Sequence, residues 1–339
     1  MKRSLALIFF ILALISTLSV FAIAALSESG RSSENAESVL MQVEKSKDKY
    51  IYAAHGTTSI RHKGKKIISD IKIYHANQHQ SRIEYLTAPL KGMIVVNDGE
   101  QSWRMDPKLG KVFCADHPNV RDHVRNISMI LRNYSVERRD GGKIAGRPCI
   151  LLAIKSKSGI LRKRLWVDAS TFVVLKSQDF NSHSDLVSFT EFDNIKYTNS
   201  LPASLFACPV GKSKIQPRRL SAKKMSVDEL SHALGFHVII PEYIPEGYKL
   251  EACRMLTLSK CGRQIAFLRY TNGLDGVSVF EARKTPDLSS GNCMWHRMEK
   301  LAGHSDHTHV VVDSDKVKAI AVVGDLPRKD LDRIIDSIK

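Results

Sequence analysis

The sequence predicts an α+β fold, with a curved antiparallel sheet covered by helices on one face and followed by a smaller α+β domain. Apolar residues alternate with a period of two along most of the chain from Tyr52 to Phe192, and only two segments of the first half show helical spacing. The strand pattern stops between Pro209 and Lys224 and then resumes. A length of 339 residues also fits two folded units.

The N-terminus predicts export. Lys2 and Arg3 precede an uncharged stretch from Ser4 to Ser27, and Ala22-Ile23-Ala24 forms a small-x-small cleavage site. Residues 1–26 are therefore predicted to be a signal peptide. Because about 20 apolar residues also suffice to span a bilayer, an uncleaved inner-membrane anchor is the alternative. Either interpretation places the remaining chain in the periplasm.

The first unit, residues 27–208, is predicted to begin with a helix at 34–47 and a hairpin whose turn is Lys63-Gly64-Lys65-Lys66. A second helix is expected at 119–134, where apolar residues recur on one stripe. The remaining segments show strand patterns: Arg82–Leu86, Gly92–Val96, Gln101–Met105, Cys149–Lys155, Leu161–Val167, Val173–Asp179 and Leu186–Phe192.

Residues 209–225 are predicted to be a basic linker, because they contain two prolines, several lysines and arginines, and no acidic residue. Two interpretations stay open: a solvated tether, or a docking strip for an acidic partner or lipid headgroups in which Arg218 and Arg219 take part. The linker has few apolar residues, so few contacts are expected between the two units.

The second unit, residues 226–339, is predicted to open with the helix Val227–Leu234, which Ser226 caps with Glu229 in a capping box. A proline-rich bend at Pro241–Tyr248 follows. Strands are expected near Lys249–Leu258, Gln264–Tyr270, Gly276–Arg283, Val310–Val312 and Val317–Val323, before a last helix at Arg328–Ile338. Cys253 and Cys261 flank a short segment between two strands, so a hairpin disulfide is predicted.

Composition and motifs favour a binding protein over an enzyme. The sequence has no G-x-S-x-G, P-loop, H-E-x-x-H or G-x-G-x-x-G motif, and therefore predicts no catalytic residue and no cofactor. The two S-x-x-K matches, Ser46–Lys49 and Ser221–Lys224, lie in lysine-rich stretches and are interpreted as chance. The formal charge of +16 favours anionic, membrane-proximal partners, and export argues against nucleic acid.

One histidine cluster, His304, His307 and His309, has metal-ligand residue types. The neighbouring glycine and serine residues indicate a loop, in which this spacing does not force the rings to converge. We interpret the cluster as a solvated loop and predict no metal site, with metal binding or pH sensing as the alternative.

A curved sheet under helices can hold a cavity for an acyl chain. The predicted lining is Trp103, Val124, Ile127, Met129, Ile130 and Leu131, with Arg121 and Arg125 at the mouth for an anionic headgroup. The alternative, that these apolar residues are plain core and the arginines a solvated face, stays open.

Several short motifs occur in a fixed order over nearly the whole chain after the N-terminal segment. They are Arg82-Ile83-Glu84-Tyr85-Leu86, Val95-Val96-Asn97-Asp98-Gly99 with Trp103 beyond it, Asn133-Tyr134, Ala145-Gly146-Arg147, Leu165-Trp166-Val167-Asp168, Ile244-Pro245-Glu246-Gly247-Tyr248, Tyr270-Thr271-Asn272-Gly273-Leu274, Val277-Ser278-Val279-Phe280 and Val323-Gly324-Asp325-Leu326-Pro327. In this order they resemble the MucB/RseB family of periplasmic sigma-E regulators, whose first domain is similar to the LolA and LolB lipoprotein carriers.

The resemblance implies a half-barrel lipid-binding fold followed by a smaller α+β domain. It also implies a stress regulator that senses mislocalised lipoprotein or lipopolysaccharide and binds the periplasmic part of a membrane-anchored anti-sigma factor. A LolA-like carrier without a signalling role is the alternative. The second domain and the linker favour the regulator, because a carrier needs neither.

Overall fold

The computed structural model describes residues 36–338 except 63–64, 78, 100–101, 108–109, 116–125, 209–214, 217–223, 259–261, 285–308 and 315–317. Within these residues, none of the helices is long and apolar enough to cross a membrane. The predicted signal peptide or anchor at 1–26 lies outside them.

In its described residues, the first unit is one large, mainly antiparallel sheet with two helices, α1 at 36–49 and α2 at Ile127–Asn133, and a short 3₁₀ helix at Ala203–Phe206. Its strands are β1 Ile51–His62, β2 Lys65–Asn77, β3 Gln80–Tyr85, β4 Ile94–Asp98, β5 Ser102–Asp106, β6 Lys111–Ala115, β7 Tyr134–Ile144, β8 Arg147–Ser156, β9 Leu161–Asp168, β10 Val174–Phe180 and β11 Leu186–Thr198.

The sheet is open, and a short strand, β12 at Ile215–Gln216, completes the strand order β12-β6-β5-β4-β3-β2-β1-β11-β10-β9-β8-β7. Consecutive strands pair from β1 to β6 and from β7 to β11, and the two series join where β1 pairs with the distant β11, with Ala54 opposite Ile195. The added strand β12, Ile215–Gln216, comes from the predicted linker and pairs in parallel with β6. Part of the linker is therefore an edge strand of the sheet.

The two faces of the sheet differ in burial. On β9, Leu165 and Val167 are fully buried, while the intervening Arg164 and Trp166 are only half-buried. Leu165 belongs to the core that also contains Leu40 of α1, so the buried face lies under the helices. We call this the inner face and the opposite one the outer face. The predicted sheet covered on one face is confirmed.

Helix α2 is shorter than the sequence predicts. Asn126 caps it, accepting a hydrogen bond from the Met129 backbone amide at 3.0 Å, and Tyr134 already has extended backbone as the first residue of β7. The apolar stripe continues into Tyr134 because strand residues of β7 also face the core. The spacing of apolar residues therefore predicts a helix longer than α2. Val120, Arg121, Val124 and Arg125 lie outside the described residues.

The described elements of the second unit are α3 Val227–Leu234, β13 Lys249–Thr257, β14 Gln264–Thr271, β15 Gly276–Arg283, β16 His309–Ser314, β17 Lys318–Gly324 and α4 Arg328–Asp336. The five strands form one antiparallel sheet in the order β13-β14-β15-β17-β16. The predicted capping box of Ser226 and Glu229 is present. Leu230 of α3 and Leu331 of α4 pack on Leu268 and Val322 of the sheet.

The position of Cys253 contradicts the predicted disulfide with Cys261. Its thiol is free and buried, and the residue opposite it across the hairpin is Leu268, well inside the β13–β14 ladder. The hairpin turn lies beyond Thr257, so Cys253 points into the core of the second unit rather than toward the turn. Cys261 lies outside the described residues.

Candidate functional site

The two units meet at helix α2. The Asn133 side-chain amide, at the end of this helix, donates hydrogen bonds to the carbonyl oxygens of Gly247 at 2.9 Å and Asn272 at 2.8 Å. Both acceptors lie in loops of the second unit. One side chain of the first unit thus satisfies two loop carbonyls of the second.

Two glycines allow this close approach. A Cβ on Gly247 would lie 2.9 Å from Asn133 Oδ1, and one on Gly273 would lie 3.0 Å from Ile130 Cγ1. Both glycines have positive φ, +86° and +105°, which other L residues rarely adopt. The second unit therefore brings its backbone directly against α2.

An ion-pair network lies beside these contacts. Arg162 Nη2 of β9 donates to Asp275 Oδ1 at 2.9 Å and to Asp325 Oδ2 at 3.2 Å. The Tyr134 hydroxyl donates to the other oxygen of Asp275 at 3.1 Å. Arg162 is 10% exposed and Asp275 18%, so water screens the pair only partly.

Burial raises the pKa of Tyr134 well above its ordinary value, and the nearby Asp275 carboxylate raises it further. The pKa of Tyr248 is raised for the same two reasons, burial first. Both phenols are therefore neutral at physiological pH, and Tyr134 keeps the proton that it donates to Asp275.

Leu274 also crosses between the units, because it packs on the core formed by Leu40, Ile130 and the inner face. We call the set Ile130, Asn133, Tyr134, Arg162, Gly247, Asn272, Gly273, Leu274, Asp275 and Asp325 the interdomain junction. It corrects the expectation that few contacts join the two units. That expectation considered only the linker, and these contacts come from elsewhere in the chain.

Some predicted lipid-binding residues lie in or beside the interdomain junction. Ile130 has no exposed surface, and Ile127 and Leu131 are half-buried against the same core. Met129 is half-buried, and its backbone carbonyl carbon would lie 3.4 Å from a Cβ on Gly273. The described part of the predicted apolar stripe and its neighbours, residues 127–131, thus packs on α1 and the sheet on one side and on the second unit on the other.

Trp103 lies elsewhere. In the strand register, Trp103 lies in one row with Val96 and Arg82, and the adjacent row contains Ser102, Asn97, Ser81 and His75. The ring of His75 is hydrogen-bonded to the Lys47 carbonyl of α1, so the row of His75 is on the inner face. Adjacent rows face opposite sides of a sheet. Trp103 is therefore on the outer face, and its indole donates to Asp98 at 2.8 Å.

Four of the motifs that carry the family resemblance converge at the interdomain junction. Asn133-Tyr134, Gly247-Tyr248, Asn272-Gly273-Leu274 and Asp325 come from four separate motifs. Arg162 and Asp275 belong to none of them and were missed, although Asp275 directly follows a matched segment. In another pair of motifs, Arg147 and Asp168 form an ion pair in which the carboxylate is fully buried.

Other predicted site residues fall outside the described chain, namely Arg218, Arg219, His304 and His307. His309 is the first residue of β16. Across the part of the chain that the structure describes, no group of three or more His, Cys, Asp or Glu side chains comes together as a metal site.

The fold and the interdomain junction define a two-domain protein built on an open antiparallel sheet. Residues 35–218 match the family model described as the MucB/RseB N-terminal domain, which is more than half of the chain. The chain therefore belongs to the MucB/RseB family, and the resemblance drawn from the motifs is confirmed.

Solved structures agree on the fold. The crystal structure of MucB in complex with MucA(peri) is 18% identical with a TM-score of 0.57, covering 90% of this chain and 98% of that chain. The Pseudomonas aeruginosa MucA/MucB complex is 17% identical with a TM-score of 0.56, covering 88% and 96%. Identities this low show the fold alone. Among curated protein sequences, none matches this chain.

Proposed function

We propose that the chain is a periplasmic regulator that binds the periplasmic part of a membrane-anchored anti-sigma factor and releases it when an acylated amphiphile binds. Family membership supports the regulatory role, and the related MucB has been crystallised with MucA(peri). For this chain, the partner segment would engage both units in the arrangement that the interdomain junction holds.

The observation that carries the proposal is the double role of α2. One side of the helix, through Ile127 and Leu131, packs on the core of the first unit, and its end, through Asn133, bonds the second unit. A ligand that inserts beside α2 must shift the helix, and any shift strains contacts made at 2.8–2.9 Å. Binding inside the first unit is thereby coupled to the arrangement of the two units.

The apolar ligand site is proposed on the inner face next to α2. Met129 is its best-placed described residue, because it is half-buried and flexible side chains of this type adapt to irregular acyl chains. Ile130 is less suited as a probe, since it is fully buried and a charge there would disrupt the core. Trp103, on the outer face, is not part of the proposed site.

The test measures the affinity of the chain for the synthetic periplasmic segment of the anti-sigma factor by calorimetry, with and without a triacylated lipopeptide. We expect the lipopeptide to weaken segment binding, and the segment to weaken lipopeptide binding by the same factor. Met129→Glu should abolish lipopeptide binding and leave segment binding intact. Met41→Glu is the matched control, because Met41 lies on α1 and is 48% exposed.

The outcomes separate the two candidate functions. If the segment does not bind at all, the regulatory role is wrong. If the lipopeptide binds without any segment binding, the result supports a LolA-like carrier instead. If both bind and neither affects the other, the coupling through α2 is wrong.

A further inference from the structure

The outer face of the first sheet carries cations placed over aromatic rings. Four such pairs occur on strands β2, β9, β10 and β11. They are Lys66 over Phe189 at 5.5 Å, Lys72 over Tyr74 at 5.2 Å, Arg164 over Phe180 at 5.5 Å and Lys176 over Trp166 at 4.9 Å from charge to ring centroid.

Strand register places these pairs side by side. Arg164, Gln178 and Phe189 stand opposite one another on three successive strands, and the same row reaches Ile68 through Ser59. The next row contains Trp166 and Lys176. The four pairs, together with Ile68 and Leu186, form one continuous surface that we call the outer patch.

The outer patch is exposed. Ile68 is 55% exposed and Leu186 36%, the two largest such values for apolar side chains on the strands of this sheet that the structure describes. The four rings are half-buried. Charged tips above rings, with aliphatic side chains between them, give a surface that is apolar in its lower layer and cationic at its top.

We propose that the outer patch docks on an anionic bilayer surface. Lys66, Lys72 and Arg164 would meet lipid phosphates, and the exposed Ile68 would reach just below the headgroups. The rings beneath the cations would lie at the headgroup level, where aromatic side chains are favoured. Charge complementarity supports this partner. The acids on the same face of these strands and of the adjoining β3 include Glu191, which Lys176 neutralises at 2.8 Å, Glu84, which pairs with Arg82 at 2.6 Å, and Asp70.

Docking on the outer patch leaves the inner face free. Helices α1 and α2, and the contact of Leu274 with the core around Ile130, lie on the other side of the sheet, and Arg162 bonds the second unit from the start of β9. The chain can therefore hold a membrane and a protein segment at once. This proposal does not depend on the lipid-release step proposed above, because a different face and a different chemistry carry it.

The experiment is sedimentation of residues 27–339, which hold every described element, with vesicles of phosphatidylglycerol and phosphatidylcholine in equal amounts. We expect binding at low salt, weaker binding at high salt, and no binding to phosphatidylcholine alone. The variant Lys66→Glu/Lys72→Glu/Arg164→Glu should bind about a hundredfold more weakly. Each basic residue near an anionic surface strengthens binding roughly fivefold, and the variant loses three of them. Ile68→Asp should also weaken binding.

The control variant is Lys143→Glu/Lys249→Glu/Lys329→Glu, which makes the same change in net charge at exposed positions outside the outer patch. It should retain binding. Equal loss in both triple variants would show that net charge alone is responsible and would overturn the proposal. So would binding to an acidic peptide without binding to vesicles, which would assign the outer patch to a protein. Circular dichroism of each variant checks that it is folded.

Discussion

Arg162 and Asp275 lie 2.9 Å apart, although one belongs to the large sheet and the other to a loop of the second unit. The same guanidinium also bonds Asp325 at 3.2 Å. A single cation therefore compensates two carboxylates of the other unit, and its loss removes the positive charge that both share.

The first prediction concerns this cation. Arg162→Ala should lower the free energy of unfolding by about 1–3 kcal/mol, because two partly buried carboxylates lose a charged donor. Urea unfolding, followed by tyrosine and tryptophan fluorescence, measures the change. The matched control is Arg139→Ala, whose guanidinium pairs with Glu137 but is 61% exposed, so its change should stay below about 0.5 kcal/mol. Equal effects would mean that the interdomain pair adds no stability.

The second prediction separates backbone strain from contact at Gly273. Gly273→Ala introduces both a Cβ at positive φ and a clash with Ile130, whereas Gly146→Ala introduces the strain alone, because nothing lies within 4 Å of its Cβ position. We expect Gly273→Ala to cost more stability by about 1–2 kcal/mol. It should also weaken binding of the anti-sigma segment, which Gly146→Ala should leave unchanged.

The third prediction is a double-mutant cycle between Asn133 and Gly247. Gly247→Ala should be costly in the parent chain, because its Cβ would lie 2.9 Å from Asn133 Oδ1. In the Asn133→Ala background the amide is gone, so the same change should cost about 1 kcal/mol less. Thermal unfolding of the four proteins gives the coupling. Additive effects would show that the two residues do not contact each other in solution.

The fourth prediction concerns Glu281, whose carboxyl group is fully buried beneath the Ile239 backbone amide. Burial raises the pKa of Glu281 to about 7, and the Ile239 amide and Lys318 oppose the shift only partly. Between about pH 4.5 and pH 7 the folded chain retains a proton that the unfolded chain releases. The free energy of unfolding should therefore fall as the pH rises through this window.

Glu281→Gln should remove this dependence and stabilise the chain at pH 8 by about 1–3 kcal/mol, since the amide can still accept from Ile239 without burying a charge. Urea unfolding at pH 5 and pH 8 tests the claim. Glu251→Gln, at a 40% exposed side chain on β13, is the control and should leave the pH dependence unchanged. A Gln variant that is less stable at pH 8 would contradict the prediction.

The strands of the sheets can be predicted from the sequence because a strand with one face on the core and one toward solvent alternates apolar and polar residues. On β9 the residues Lys163, Leu165 and Val167 are buried and those between them are not. The capping box at Ser226 could be predicted for a similar reason, since both partners are three residues apart. Local spacing was less reliable at Asn126, where a polar cap interrupts an apolar stripe that continues on both sides.

The interdomain junction could not be predicted from spacing. Asn133 meets Gly247 and Asn272, which are more than 100 residues away along the chain. Arg162 has the appearance of an ordinary outward-facing strand cation, and only the placement of the second unit gives it two partners. Only the glycines could have indicated the interdomain junction from the sequence. Gly247 and Gly273 lie inside matched motifs, and a close backbone contact explains why neither position has a side chain.

The pairing of β1 with β11 affects how the protein reaches this fold. Synthesis produces the chain from its N-terminus, so the hairpin of β1 and β2 emerges long before Leu186–Thr198, the strand that must lie against it. Until then the backbone groups along one side of β1 have no strand to pair with, and such an edge attracts other chains. Late closure is also slow, because the ends of a long loop must meet. Each newly made molecule therefore passes through a stage in which aggregation competes with completion of the sheet.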